Sequence, residues 1–110
     1  MAETVSTDEL KKKIDSNADF VLVDVLSESS YGARHIPGAK NIPKGEIGER
    51  APKELPDKEK EIIVYCSSST CAASPQAAEK LKEMGYTNVK HYKDGLAGWQ
   101  EAGNKFEGQE

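Results

Sequence analysis

Two short runs of almost wholly apolar residues limit what this chain can become. Phe20-Val21-Leu22-Val23-Asp24-Val25 and Glu61-Ile62-Ile63-Val64-Tyr65 are rich in β-branched residues. Neither alternates polar with apolar, so neither reads as a strand with one face in water. Such runs read as strands covered on both faces, the usual state of a parallel sheet. Asn88 to Tyr92 reads as a third strand, and Ala39 to Ile42 as a shorter one. Helical patterns lie between them. Ser6-Thr7-Asp8-Glu9 has the spacing of a capping box, and Leu10 and Ile14 then share a helix face. Ser74 is a favourable N-cap with Pro75 at the first helical position. Ala77, Leu81 and Met84 form that helix's apolar stripe, and Gly85 ends it. Asp94-Gly95 turns the chain into a last short helix carrying Leu96 and Trp99. Strands alternating with helices predict an α/β fold: a central, mostly parallel sheet with helices on both faces.

The connections carry less information. Residues 26–34 read as polar and irregular. His35-Ile36-Pro37-Gly38-Ala39 reads as a turn, because Pro37 fixes φ and Gly38 permits a positive one. Pro43 to Lys60, rich in charge, Pro and Gly, reads as a surface connection with room for one helical turn. The polar tail after Gly103 is expected to fray. At 110 residues the chain fits one domain, 1–110, with its core at about 5–104. A monomer is expected.

The formal net charge of −4 argues against nucleic acid or an anionic membrane as partner, since both attract a positive field. No apolar run approaches the ~20 residues of a membrane span. Met1 to Lys13 is polar and lacks the apolar segment of a secretory signal, so a cytoplasmic location is expected. The two cysteines are Cys66 and Cys71. In a reducing compartment such a pair points to chemistry more than to scaffold. Zinc needs about four ligands. The only histidines, His35 and His91, stand at no ligand-motif spacing from the cysteines, and no metal or cofactor is expected.

Cys66 ends the second strand and precedes a helix, and ligands of parallel sheets bind at the carboxyl ends of strands. The N–H groups of a helix N-terminus and of the loop before it favour an anion there and lower a thiol pKa. The resulting thiolate can attack sulfane sulfur and become a persulfide. Ser67, Ser68, Ser69 and Thr70 are the candidate substrate-binding residues, small enough to let the backbone curl around the sulfur and able to add hydroxyl donors. The bland alternative is a buried, inert cysteine. Cys71, five residues on, is either a resolving cysteine that attacks the Cys66 persulfide or a packing residue. Asp24 reads as a carboxylate that ties down nearby backbone N–H groups. His35 reads as a turn anchor, and His91 as a strand residue with no visible partner.

These residues resemble a family. Val21-Leu22-Val23-Asp24-Val25, Tyr31, His35-Ile36-Pro37-Gly38-Ala39 and Asn41-Ile42-Pro43 are similar to the front half of rhodanese domains. Ile63-Val64-Tyr65-Cys66 resembles their strand and catalytic cysteine, and Gly95-Leu96-Ala97-Gly98-Trp99 their closing turn and aromatic helix. The resemblance spans about residues 5 to 104. It implies a rhodanese-like fold and a sulfurtransferase working through a Cys66 persulfide, with a small sulfur donor (polysulfide, thiosulfate or a persulfide) and a thiol acceptor, a protein among the candidates. Three departures stand out. The family's usual arginine after Asp-Val is Leu26, and the acidic residue before the aromatic is Ser30. The loop from Cys66 has no arginine or lysine, so thiosulfate, a dianion, should bind poorly, and polysulfide or a thiol persulfide becomes the expected donor. The missing arginine, with Ala72 at the relevant spacing, also argues against the related phosphatases and arsenate reductases. Counted back from Ala77 and Leu81, the loop has about two extra residues. Two other readings stay open: a thiol-disulfide or persulfide reductase using Cys66 and Cys71, and a non-catalytic module that binds a partner or senses redox state.

Overall fold

The structure is a computed structural model that describes residues 3–16, 18–67 and 73–107. The strands are β1 (Glu3–Thr4), β2 (Phe20–Asp24), β3 (Lys40–Asn41), β4 (Glu61–Tyr65) and β5 (Val89–Tyr92). The helices are α1 (Thr7–Asp15), α2 (Glu28–Ala33), α3 (Ile47–Glu54), α4 (Ala73–Glu83) and α5 (Gly95–Glu101), with a 3-10 turn at Lys44–Glu46. One sheet runs in the order β1-β5-β4-β2-β3, and every strand pair in it is parallel. This is the α/β arrangement, a parallel sheet between helices, that the apolar runs predict.

Side-chain alternation splits the core in two. Val23, Ile62, Val64, Cys66 and Val89 face one side, under Ile47 and Ala51 of α3 and Ala77, Ala78 and Leu81 of α4. Leu22, Ile63, Tyr65 and Tyr92 face the other, against Leu10 of α1 and Leu96 and Trp99 of α5. Period-2 strands buried on both faces have no polar side to show, which is why β2 and β4 read as almost wholly apolar. The capping box of α1 forms as its spacing requires: the Ser6 side chain accepts from the Glu9 amide and the Glu9 carboxylate from the Ser6 amide. The turn before β3 also forms, with Gly38 at φ 85° and the Ala39 amide bonded to the Ile36 carbonyl at 3.0 Å.

Three segments differ from expectation. Residues 28–33 form α2, started by the Ser27 side chain accepting from the Ser30 amide at 3.3 Å. The stretch 47–54 is a helix of 8 residues despite Pro52. Its hold comes from tertiary packing, because Ile47 and Ala51 are fully buried and the Tyr86 hydroxyl reaches the carbonyls of Ala51 and Leu55 at 3.0 and 2.6 Å. Arg50 adds ion pairs to Glu46 and Glu54 on the outer face. The tail as far as Glu107 is docked. Glu107 forms an antiparallel bridge with His35, Trp99 Nε1 donates to the Lys105 carbonyl at 2.8 Å, and Arg34 lies over the Phe106 ring. Among the described residues no helix is long and apolar enough to cross a membrane.

Asp24 behaves as the sequence suggests. It is fully buried, and its Oδ1 accepts from the Leu26 amide at 2.8 Å. Its Oδ2 is buried with no hydrogen-bond partner among the described residues. Burial pushes the carboxyl above its ordinary value of 3.8, against the Leu26 amide, which favours the ionised form. A raised carboxyl pKa stabilises the fold most below the unfolded value, and that contribution is lost as pH rises through the folded one. Asp24→Asn, which has no charge to bury, should therefore gain on the wild type as pH rises. Urea unfolding of both proteins from about pH 3 to about pH 8 checks this. A stability difference constant across the range would contradict it.

Candidate functional site

β4 lies inside the sheet between β5 and β2, so the residue after it emerges at the middle of the sheet's carboxyl edge. That residue is Cys66. Two amides from α5 hold the chain there: Leu96 N–H donates to the Cys66 carbonyl at 3.0 Å and Ala97 N–H to the Ser67 carbonyl at 2.9 Å. Gly95 opens α5 at φ 62°, a left-handed conformation that glycine adopts without strain and that turns these amides toward the loop. Space is tight behind them. A Cβ on Gly98 would meet the Asp94 side chain and lie 3.3 Å from the Tyr92 hydroxyl. The closing glycine-rich turn thus brackets the segment from behind.

Cys66 is 1% exposed and disulfide-bonded. In this form it carries no thiol, and its sulfur is closed off from solvent, as in the buried-cysteine alternative. Ser67 is exposed beside it. Ser68, Ser69, Thr70 and Cys71, the remaining loop candidates, lie outside the described residues, and with them most of the expected ring of loop amides. The amides of Leu96 and Ala97 point to carbonyls, not to the sulfur.

Ser74 does not lie at the helix boundary. α4 begins at Ala73, which places Ser74 inside its first turn, 1% exposed. Its hydroxyl serves the site instead: Oγ lies 3.3 Å from Cys66 Sγ and 2.6 Å from His91 Nε2. His91, which showed no partner in the sequence, thus stands one hydroxyl away from the sulfur. Burial, with Lys93 adding to it, holds His91 below its ordinary value of 6.5. The signal available in sequence was parity alone. Val64 pairs with His91 across β4 and β5, so His91 shares the sheet face of Val64 and Cys66.

The departures near β2 have structural counterparts. Leu26, where the resemblance implies an arginine, is partly buried and packs against both halves of the core. Ser30 hydrogen-bonds Ser27 at the start of α2. An arginine and an acid lost together leave no unpaired charge behind. His35 anchors its turn: Nδ1 lies 2.9 Å from the Tyr31 carbonyl and the ring stacks on Tyr31 at 3.9 Å.

Residues 6–102 match the model of the Rhodanese-like domain family. Over 69 residues the chain is 42% identical to the thiosulfate sulfurtransferase PspE of Escherichia coli, a match covering 63% of this chain and 64% of that one. A sulfurtransferase of Allochromatium vinosum is 28% identical across 94% of this chain and 92% of its own. Among solved structures, the BH2092 protein from Bacillus halodurans superposes with a TM-score of 0.90 at 31% identity, covering 97% of this chain and 77% of that chain. The chain spans less than two thirds of the length of three curated relatives that it matches, namely 36%, 64% and 49%. The family model covers most of the chain and the superposition extends over 97% of it, and the chain belongs to the rhodanese-like domain family.

Proposed function

We propose that the chain moves sulfane sulfur through a persulfide on Cys66, from a polysulfide or thiol persulfide to a thiol acceptor. The observation that carries this reading is the place of Cys66. It ends an interior parallel strand, with its carbonyl tied by α5 and a helix following in the chain, within the family just described. Two relatives are named as sulfurtransferases. A thiol reductant first opens the disulfide. The Cys66 thiolate then attacks the outer sulfur of a donor R–S–SH, and the donor leaves as a thiolate. An acceptor thiolate attacks the outer sulfur of Cys66–S–SH in turn, forming the acceptor persulfide and returning the Cys66 thiolate. Each step exchanges one S–S bond for another, so no net oxidant is needed. The absence of arginine and lysine from residues 66–71 disfavours a dianionic donor.

Mass spectrometry of the reduced protein exposed to polysulfide, thiol persulfide and thiosulfate in parallel tests this. A gain of about 32 Da on Cys66 is expected, faster with the first two than with thiosulfate. No gain with any donor would remove the transferase reading. Faster labelling by thiosulfate would remove the assignment of donor.

The disulfide state of Cys66 favours a second reading. Cys71 is the only other cysteine in the sequence. A Cys71 thiolate attacking the inner sulfur of Cys66–S–SH would form a disulfide and release hydrosulfide, and a thiol reductant would reset the pair. After sulfur loading, disulfide and sulfide should form in the wild type and not in Cys71→Ser. Equal amounts in both would end this version.

A further inference from the structure

Residues 66–71 include no arginine or lysine, and the structure sets the Ser74 hydroxyl against the Cys66 sulfur with the His91 ring behind it. Parallel register sets His91 opposite Val64, and period-2 alternation puts Cys66 on the same face. α4 covers that face and lowers Ser74 into the gap. Ser74 and Cys66 are each 1% exposed, so water does not compete for their contacts. Disulfide-bonded, the sulfur has no proton to give. The serine hydroxyl has one. The contacts at 3.3 Å to Cys66 Sγ and 2.6 Å to His91 Nε2 are both hydrogen bonds in one arrangement only. Nε2–H donates to Ser74 Oγ, and Ser74 O–H donates to Cys66 Sγ.

We propose that Ser74 and His91 form a two-step chain of neutral donors that holds negative charge on the Cys66 sulfur, with Ser74 touching the reacting atom and His91 acting through it as a positioning residue. The inference deepens the persulfide reading and rests on it. When the acceptor thiolate attacks the outer sulfur, the S–S bond to Cys66 breaks. Its electron pair stays on Sγ, the atom that Ser74 O–H faces. No proton has to move, because the same polarity that serves a disulfide sulfur serves a thiolate. A neutral imidazole suits the role, since its Nε2–H donates without adding charge that would draw in a dianion. The hydroxyl is also fixed in place by a helix and a strand, so it needs no reorganisation when charge arrives.

The test measures the Cys66 thiol pKa in reduced protein, from alkylation rate against pH. Wild type is compared with Ser74→Ala, His91→Leu, His91→Gln and the double variant Ser74→Ala/His91→Leu, with circular dichroism as the check on folding. Ser74→Ala and His91→Leu should each raise the thiol pKa by about one unit, a roughly tenfold loss of thiolate at neutral pH. His91→Gln carries an amide N–H near the place of Nε2 and should recover to within about threefold of wild type. The double variant should be no worse than Ser74→Ala, as two links of one chain require. An unchanged pKa in Ser74→Ala, or additive losses in the double variant, would overturn the proposal. If Ser74→Ala does not fold, the contrast between His91→Leu and His91→Gln decides. Sulfur loading separates the two ideas. A wild type that takes no sulfur but loses thiolate on Ser74→Ala sinks the persulfide reading and keeps the donor chain. A wild type that loads sulfur while the variants titrate alike sinks the donor chain alone.

Discussion

Cys66→Ser should fold as the wild type does and take up no sulfur from polysulfide, its transfer rate falling by about three orders of magnitude or more. Two effects combine in that size. An alcohol is hardly ionised at neutral pH, so the anion that the site is built to hold is missing. An oxygen also forms no stable bond of the persulfide kind, so no carried intermediate accumulates. Folding is spared because serine is close to cysteine in volume and its neighbour Ser74 offers a hydroxyl partner in place. The fold does lose the disulfide of Cys66, and the comparison is therefore made with reduced wild type. The measurement is transfer of sulfur to a small thiol acceptor, followed by sulfide or acceptor persulfide. Residual transfer within about tenfold of wild type would mean that the sulfur travels by another route, and Cys66 would revert to a packing residue.

Trp99→Ala should cost about 3–5 kcal/mol, the usual range for removing a buried large aromatic. In a domain of this size that lowers Tm by roughly 15–25 °C. Trp99 is 2% exposed and heads the largest fully buried side chains. It packs with Leu10, Ile36 and Tyr92, and its Nε1 donates to the Lys105 carbonyl at 2.8 Å. Truncation opens a cavity beneath α5 and leaves the tail without its anchor. The effect should also reach the site, because α5 is the helix whose Leu96 and Ala97 amides hold the Cys66 and Ser67 carbonyls. Thermal unfolding gives the stability, and alkylation of Cys66 gives the second readout. A fall in Tm under about 5 °C would show that the helix is held chiefly by other contacts.

The sheet was legible because burial on both faces writes itself into composition. Apart from Asp24 and Glu61 at their ends, β2 and β4 carry no charged side chain, and the parallel arrangement followed from runs of that kind separated by helices. The capping box at Ser6 and the turn at Pro37-Gly38 were legible for a different reason. Both are local hydrogen-bonded devices completed within four residues. α3 was hidden by Pro52 and by its surface charges, since what makes it a helix is the distant Tyr86 hydroxyl and the buried Ile47 and Ala51. The docked tail was hidden in the same way, its partners His35 and Arg34 lying some 70 residues earlier.

Sequence alone placed Cys66 at a strand end before a helix, because hydrophobic period and helix signals are properties of neighbouring residues. Tertiary structure alone gave Ser74 and His91 their places. A serine reads locally as a helix cap and a strand histidine as an isolated polar residue. Only the register of β4 on β5, and the seating of α4 above them, brings the hydroxyl within 3.3 Å of the sulfur and 2.6 Å of the imidazole. Contacts between residues far apart in the chain depend on how elements pack, and packing is decided by the whole core at once.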